Sequence, residues 1–590
     1  MVQVSEKLSR LRRFLLSEGA DLYYIPGTDP HQDEYVPAHW QHRVWISQFT
    51  GSAGDVFVGQ AQAWLWTDGR YALQASQDLD SKCFQIVLSG QGRPTMRQWL
   101  TSQGQRLRFA VDPSVISISV AEELRQTLAE TDGELVFVDN WVDALWTDRP
   151  PLELKSLKLH PLKYTGQTTA DKLIKLRDWM REQGMEAYAL NTLDSIAWLF
   201  NIRGADIPYN PLVISYALVT LDAAFLCTDT KVSKEDAEVL LESGVTVAPY
   251  ADFMTLLQSQ AGQIAMYPGE ATVAMWNAPR VGKPMRVSSP ISLWKACKNS
   301  VEIQGSRIAH EQDALALIRW MHWLTTHWRG LDEVSVTDRL TEFRQQGRHY
   351  CGDSFPAIAG FGENGAVVHY RASSETALSI QDTAPFLIDS GGQYLEGTTD
   401  VTRVLHLGTP TARQRRDYTL VLKGHLRLRH TRFPKGTVGA HLDALARQFL
   451  WQHGLDYDHG TGHGVGSYLC VHEGPARISP GLIKVPLQPG MILSNEPGVY
   501  LACRYGIRIE NLCVVVPVIS AEDSEVGREF YGFEDLTLVP YQRKLIDICL
   551  LTAEEIGWID QYHRRIWDTL SDRLSGGARE WLNQETAPLQ

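Results

Sequence analysis

Apolar positions near the start of the chain repeat at a helical period and then switch to a strand pattern. Leu8, Leu11 and Leu15 predict a helix over residues 6–19, and Gly19 suits its C-terminal stop. A strand-like run follows at residues 21–25. The same pattern returns at residues 171–184 and 186–190, with Gly184 standing 165 residues after Gly19. Residues 45–51 are echoed by 198–204, and residues 64–68 by 225–229. A helix, a strand and a turn recurring together predict two duplicated α/β units of about 150 residues each. The Pro-rich stretch 147–151 is the candidate boundary.

Near Lys295 the texture changes. Ile303, Ile308, Ala314, Leu315, Leu317, Ile318 and Met321 predict one long helix over 300–328. Strand candidates and glycine-rich turns follow, and nearly all the informative polar clusters lie there. The expected fold class is therefore α/β (α+β), with domains at 1–155, 156–300 and 301–590. A chain of 590 residues exceeds one core, and 44% hydrophobic with 21% charged residues are ordinary globular values. The net charge of −13 argues against non-specific nucleic-acid binding. Residues 1–10 lack the apolar core of a signal peptide, and no run of 18 apolar residues predicts a membrane span. Eight cysteines occur with no CxxC, which predicts neither a thiolate zinc site nor a redox motif, but buried reduced thiols in a cytoplasmic protein.

Four carboxylates stand in strongly apolar company. Asp389 ends the run Phe386-Leu-Ile, and the chain returns through β-formers after Asp400, so a hairpin would let the two face each other. Glu496 ends Ile492-Leu-Ser-Asn. In Ile507-Arg508-Ile509-Glu510 strand alternation puts Arg508 and Glu510 on one face, directed into a site or into a simple ion pair. Burying such charge unpaired costs several kcal/mol per ion. The acids lie at the surface, or cations accompany them. Four carboxylates and one imidazole, His463 from the glycine-rich loop 459–466, make a hard donor set suited to Mn²⁺, with Zn²⁺, Co²⁺ or Fe²⁺ admissible.

Asp389, Asp400, His463, Glu496 and Glu510, in this order and context, resemble the pita-bread metallopeptidases, a family that includes methionine aminopeptidase, prolidase, aminopeptidase P and creatinase. Residues 389–403, 460–467 and 471–475 carry the likeness in the third domain; residues 49–54, 66–71, 197–204 and 534–540 carry it elsewhere. The chain looks most like the three-domain Xaa-Pro aminopeptidases. The resemblance implies two creatinase-like α/β domains and a pita-bread catalytic domain with a C-terminal extension. It implies two divalent metals about 3.5–4 Å apart that share carboxylates and a hydroxide. Asp400 and Glu510 would bridge, Asp389 would complete one metal, and His463 with Glu496 the other. Glu496 would also handle the proton. His369, His459 and His472 would stabilise the tetrahedral intermediate and move protons, and Arg508 would stand beside the bridging Glu510.

Substrates would be peptides with proline at position two, cleaved before the proline by a cytoplasmic homodimer with neither nucleic acid nor membrane as partner. Trp320, Trp323 and Trp328 offer either a dimer face or core. A prolidase-type dipeptidase, a pita-bread binding module without catalysis and a creatinase-like hydrolase are the alternatives.

Overall fold

The first helix spans Val4–Glu18, buries Leu8, Leu11 and Leu15, and closes on Gly19 at φ 63°. Its counterpart, Thr169–Gln183, closes on Gly184 at φ 68°. A left-handed residue is the common helix stop, and glycine adopts it without a Cβ penalty. These elements come from a computed structural model that describes residues 3–90, 92–104 and 106–589.

The chain forms two compact units, Met1–Leu162 with Gln167–Ile291, and Lys163–Gly166 with Ser292–Gln590. The first unit holds two six-stranded sheets. One runs in the order Gln85–Ser89, Ala63–Asp68, Asp55–Gly59, Leu22–Ile25, Arg108–Val111, Glu134–Phe137. The other runs Thr246–Ala248, Ala224–Cys227, Tyr216–Thr220, Ala187–Leu190, Gln263–Met266, Lys283–Arg286. Both read parallel, antiparallel, antiparallel, parallel, parallel across the sheet. The repeat expected from sequence is thus a repeat of topology. The echoed segments 64–68 and 225–229 fall on equivalent strands.

In the second unit the long helix is Ser300–His327, opened by a capping box between Asn299 and Glu302. Its apolar stripe buries Ala314, Leu315, Leu317, Ile318 and Met321, but Ile308 is 37% exposed and lies off that stripe. Trp320 belongs to the core, fully buried, with its indole N–H on the Val336 carbonyl at 2.9 Å. Trp323 and Trp328 are half-buried against the same core.

Strands Ile358–Phe361, Pro385–Ser390 and Val401–His406 form one antiparallel sheet. A six-stranded sheet includes Asn511–Ile519, Ile492–Asn495, Gly462–Gly464 and Glu473–Ile478. The hairpin Gly498–Leu501 with Tyr505–Arg508 completes the site's framework. Helices Ala553–Leu570 and Gly576–Glu585 end the described chain.

The thiol expectation needs correction. All eight cysteines are free, but only Cys227 and Cys513 are buried, while Cys351, Cys503 and Cys549 are exposed. Cys351 lies on the strand Tyr350–Asp353, Cys503 in a turn and Cys549 in the short 3-10 helix Ile548–Leu550, none of them drawn inward by an apolar pattern. Among the described residues no helix is long and apolar enough to cross a membrane.

Candidate metal centre

Asp389 and Asp400 meet because the strands Pro385–Ser390 and Val401–His406 pair antiparallel, with Asp389 opposite Thr402. Asp400 and Thr402 share a face by strand alternation. The Thr402 hydroxyl donates to Glu510 Oε2 at 2.8 Å. Ile507 and Ile509 go into the core, while Arg508 and Glu510 turn the other way. Arg508 does not pair with Glu510. Its guanidinium holds Asp389 Oδ2 at 2.6 Å, the Thr402 hydroxyl at 3.1 Å and the Tyr500 hydroxyl at 2.7 Å.

His463 sits where two backbones press together. A Cβ on Gly462 would lie 2.0 Å from the Ser494 carbonyl oxygen, and one on Gly464 would lie 2.2 Å from that of Glu473. Only glycine lets the loop strand lie so close to its neighbours. The His463 backbone N–H donates to Ser494 Oγ at 2.9 Å, and the same hydroxyl donates to Glu496 Oε1 at 3.1 Å.

The donors fit a cation. His463 Nδ1 lies 2.9 Å from the Gly464 carbonyl oxygen, which can only accept, so Nδ1 carries the proton. In the neutral ring, Nε2 then presents a lone pair. It faces Asp400 Oδ2 at 3.5 Å and Glu496 Oε1 at 3.6 Å. A lone pair aimed at two carboxyl groups is satisfied by a cation or a proton between them. Asp400, His463 and Glu510 each offer an atom within 4.8 Å of the others. Asp389 Oδ1 and Asp400 Oδ1 are buried with no hydrogen-bond partner, a costly state that a cation would relieve. Burial first, then the neighbouring carboxylates, pushes Asp400 and Glu510 well above the usual carboxyl range. Asp400, His463 and Glu510 thus cluster, and Asp389 and Glu496 lie close enough to act on Asp400 electrostatically, a donor set that suits hard cations.

The remaining predicted residues are arranged around it. His459 Nε2 lies 2.8 Å from the Tyr500 hydroxyl, and its Nδ1 is 3.9 Å from Glu496 Oε2. Arg447 fixes this loop by donating to the His459 carbonyl at 2.7 Å. The His472 ring stands edge-on to His463, centroids 4.4 Å apart. His369 is half-buried on the segment whose Val368 carbonyl accepts from Arg508 at 3.4 Å.

Sequence reasoning missed three residues. Tyr500 joins His459 to Arg508, and burial pushes its hydroxyl up to about 12. Thr402 and Ser494 orient Glu510 and Glu496. Thr402 was the findable one, two residues from Asp400 on the same strand face.

"Metallopeptidase family M24" matches residues 304–517, and "C-terminal region of peptidase_M24" matches 529–589. "Creatinase/Prolidase N-terminal domain" matches twice, at 7–145 and 148–302. Aminopeptidase P2 of Arabidopsis thaliana is 39% identical, covering 100% of this chain and 89% of its own. A probable Xaa-Pro aminopeptidase P of Sordaria macrospora is 40% identical over 100% of both chains. A crystal structure of X-prolyl aminopeptidase from Caenorhabditis elegans, described as a cytosolic enzyme with a di-nuclear active site, aligns over 100% of both chains with a TM-score of 0.94 and 32% identity. With relatives this similar along its entire length, the chain belongs to metallopeptidase family M24, in the branch that carries the creatinase-type N-terminal domain twice.

Proposed function

We infer that this protein is a metal-dependent Xaa-Pro aminopeptidase, releasing the first residue from peptides with proline second. Whole-chain similarity to the aminopeptidases P and to the di-nuclear C. elegans enzyme carries the reading. The three domains divide at 1–155, 156–300 and 301–590; the matches at 7–145, 148–302, 304–517 and 529–589 support three domains, with the first boundary a few residues earlier.

Asp389, Asp400, His463, Glu496 and Glu510 would hold two divalent cations, with Mn²⁺ favoured by so hard a donor set. Such cations, when bound, lower the pKa of water from about 15.7 toward about 7 and polarise a carbonyl oxygen. The chain's own groups do the rest. Glu496 has the most exposed carboxylate of the four, 18% accessible, so it can exchange a proton with a reacting group. Arg508 holds Asp389 in place and fixes the Tyr500 hydroxyl, which in turn orients His459. Proline's nitrogen, like that of any departing amide, must receive a proton on leaving. His472 and His369 supply donors near the scissile carbonyl.

The substrate preference has a direct check. Loaded with Mn²⁺, the protein should cleave Arg-Pro-Pro at least about 10²-fold faster than Arg-Ala-Pro, because a site shaped for the proline ring loses it in the second peptide. Equal initial rates would overturn the specificity. Gly-Pro hydrolysed in preference to Arg-Pro-Pro would indicate a dipeptidase instead.

We further propose a cytoplasmic homodimer joined through the third domain, without nucleic-acid or membrane partners. The cytosolic description of the C. elegans enzyme and the net charge of −13 support the location and the exclusion of nucleic acid. Trp320 is committed to the core, so a dimer face would draw on the half-buried Trp323 and Trp328. Light scattering at micromolar concentration should give twice the chain mass; a particle of one chain overturns the dimer.

A further inference from the structure

Glu333 opens the helix Glu333–Gln345, where an acid is ordinarily explained by the helix dipole in solvent. Its side chain instead points inward, and the residue is 0% exposed. The carboxylate accepts from both ends of the segment 361–378: from the Phe361 N–H at 2.6 Å and the Leu378 N–H at 2.9 Å. It also accepts from the middle, from Asn364 Nδ2 and the Tyr370 hydroxyl, each at 2.9 Å. Asn364 Nδ2 lies 2.8 Å from the Tyr370 oxygen as well, which closes a ring of hydrogen bonds.

That segment has little regular structure of its own beyond the short turn Gly362–Ala366. It carries His369, next to Tyr370, and its Val368 carbonyl touches Arg508. It also lies on the strand Tyr505–Arg508 so tightly that a Cβ on Gly506 would come 1.7 Å from the Gly365 carbonyl oxygen. One buried carboxylate thus ties down the start, middle and end of a loop that borders the metal centre.

We propose that Glu333 is a positioning residue: it clamps the loop that presents His369 to the substrate. The proposal rests on the catalytic role given to His369 above. Glu333→Gln keeps the volume but replaces an acceptor oxygen by an amide N–H₂ that faces other donors. Its kcat on an Xaa-Pro peptide should fall roughly 10–100-fold, as for other residues that orient catalytic groups. KM and metal stoichiometry should stay at wild-type values, a split that general destabilisation does not produce. In a His369→Ala background, Glu333→Gln should lower kcat no further, because the two residues act as one unit.

Trypsin gives a readout independent of activity. Arg371 lies exposed on this loop, and its cleavage tracks the open population, so it should be cut faster in Glu333→Gln. Tyr370→Phe removes a single donor and should move kcat and cleavage the same way by less; it carries the test if the glutamine variant does not fold. Wild-type kcat, or additive losses with His369→Ala, overturns the proposal. If His369→Ala alone leaves kcat intact, the role of His369 falls, and unchanged cleavage at Arg371 then overturns the clamp as well.

Discussion

His463→Ala is expected to lose bound metal and activity together, whereas His472→Ala is expected to keep its metal and lose about 10²–10³ in kcat. The two rings are centroid neighbours at 4.4 Å, so proximity does not separate them. The direction of Nε2 does. In His463 it is turned toward Asp400 and Glu496, with Nδ1 locked on a carbonyl. Its removal deletes the only nitrogen donor proposed for the set and leaves carboxylates repelling one another. His472 immediately precedes the strand Glu473–Ile478 and stands edge-on to the His463 ring; its proposed role is to donate to developing charge without holding a cation. Loss of such a donor weakens the transition state and leaves the ground-state site intact. His459→Ala should resemble His472→Ala, with a further effect through Tyr500, which would lose its ring partner. Metal stoichiometry measured alongside kcat for each variant decides it. A metal-free His472→Ala, or a fully loaded and active His463→Ala, would show the assignment to be reversed.

Three of the five proposed ligands stand out because each acid ends or interrupts an apolar run, whereas Asp400 and His463 are read from the β-forming and glycine-rich stretches that hold them. A carboxylate in that position needs a cation or an ion-pair partner once buried, and Asp389, Glu496 and Glu510 all show the pattern. The repeat of the first unit was legible for a different reason. Helix stops at Gly19 and Gly184 obey local backbone rules, and local rules survive in sequence.

What the sequence hid is the pairing. Arg508 alternates with Glu510 and invites a bond between them, yet its partner is Asp389, 119 residues away. Tyr500 reads as one more aromatic in a hairpin until the fold sets it between His459 and Arg508. Glu333 is harder still. A first-turn acid satisfies every local expectation for a helix, so nothing signals that its carboxylate is spent on a loop up to 45 residues on. Contacts fixed by tertiary packing leave no period or spacing to read.

Asp313→Ala is expected to destabilise the second unit by about 3–5 kcal/mol, the usual result of stripping one partner from a buried ion pair. Asp313 lies on the long helix and Arg344 on the helix after it. The guanidinium meets the carboxylate at 2.7 and 3.3 Å, and both residues are buried. Tyr394 donates to the same carboxylate at 2.9 Å, and Arg344 donates to the Ser390 hydroxyl at 3.0 Å. Ser390 follows Asp389, so this network is what fastens the strand of the metal centre to the helical layer. Alanine leaves a charged guanidinium in the core with only Asp353, 3.7 Å away and partly exposed, to answer it. The cost arises from the orphaned charge and not from the lost attraction. Asp313→Leu combined with Arg344→Met should therefore recover much of the stability, since apolar residues of similar volume can replace a buried pair at little cost. Amide hydrogen exchange in the strand Pro385–Ser390 measures the effect locally, free of the other unit's unfolding. Unchanged protection in Asp313→Ala would refute the role of the pair, and a double variant less stable than the single one would refute its explanation by orphaned charge.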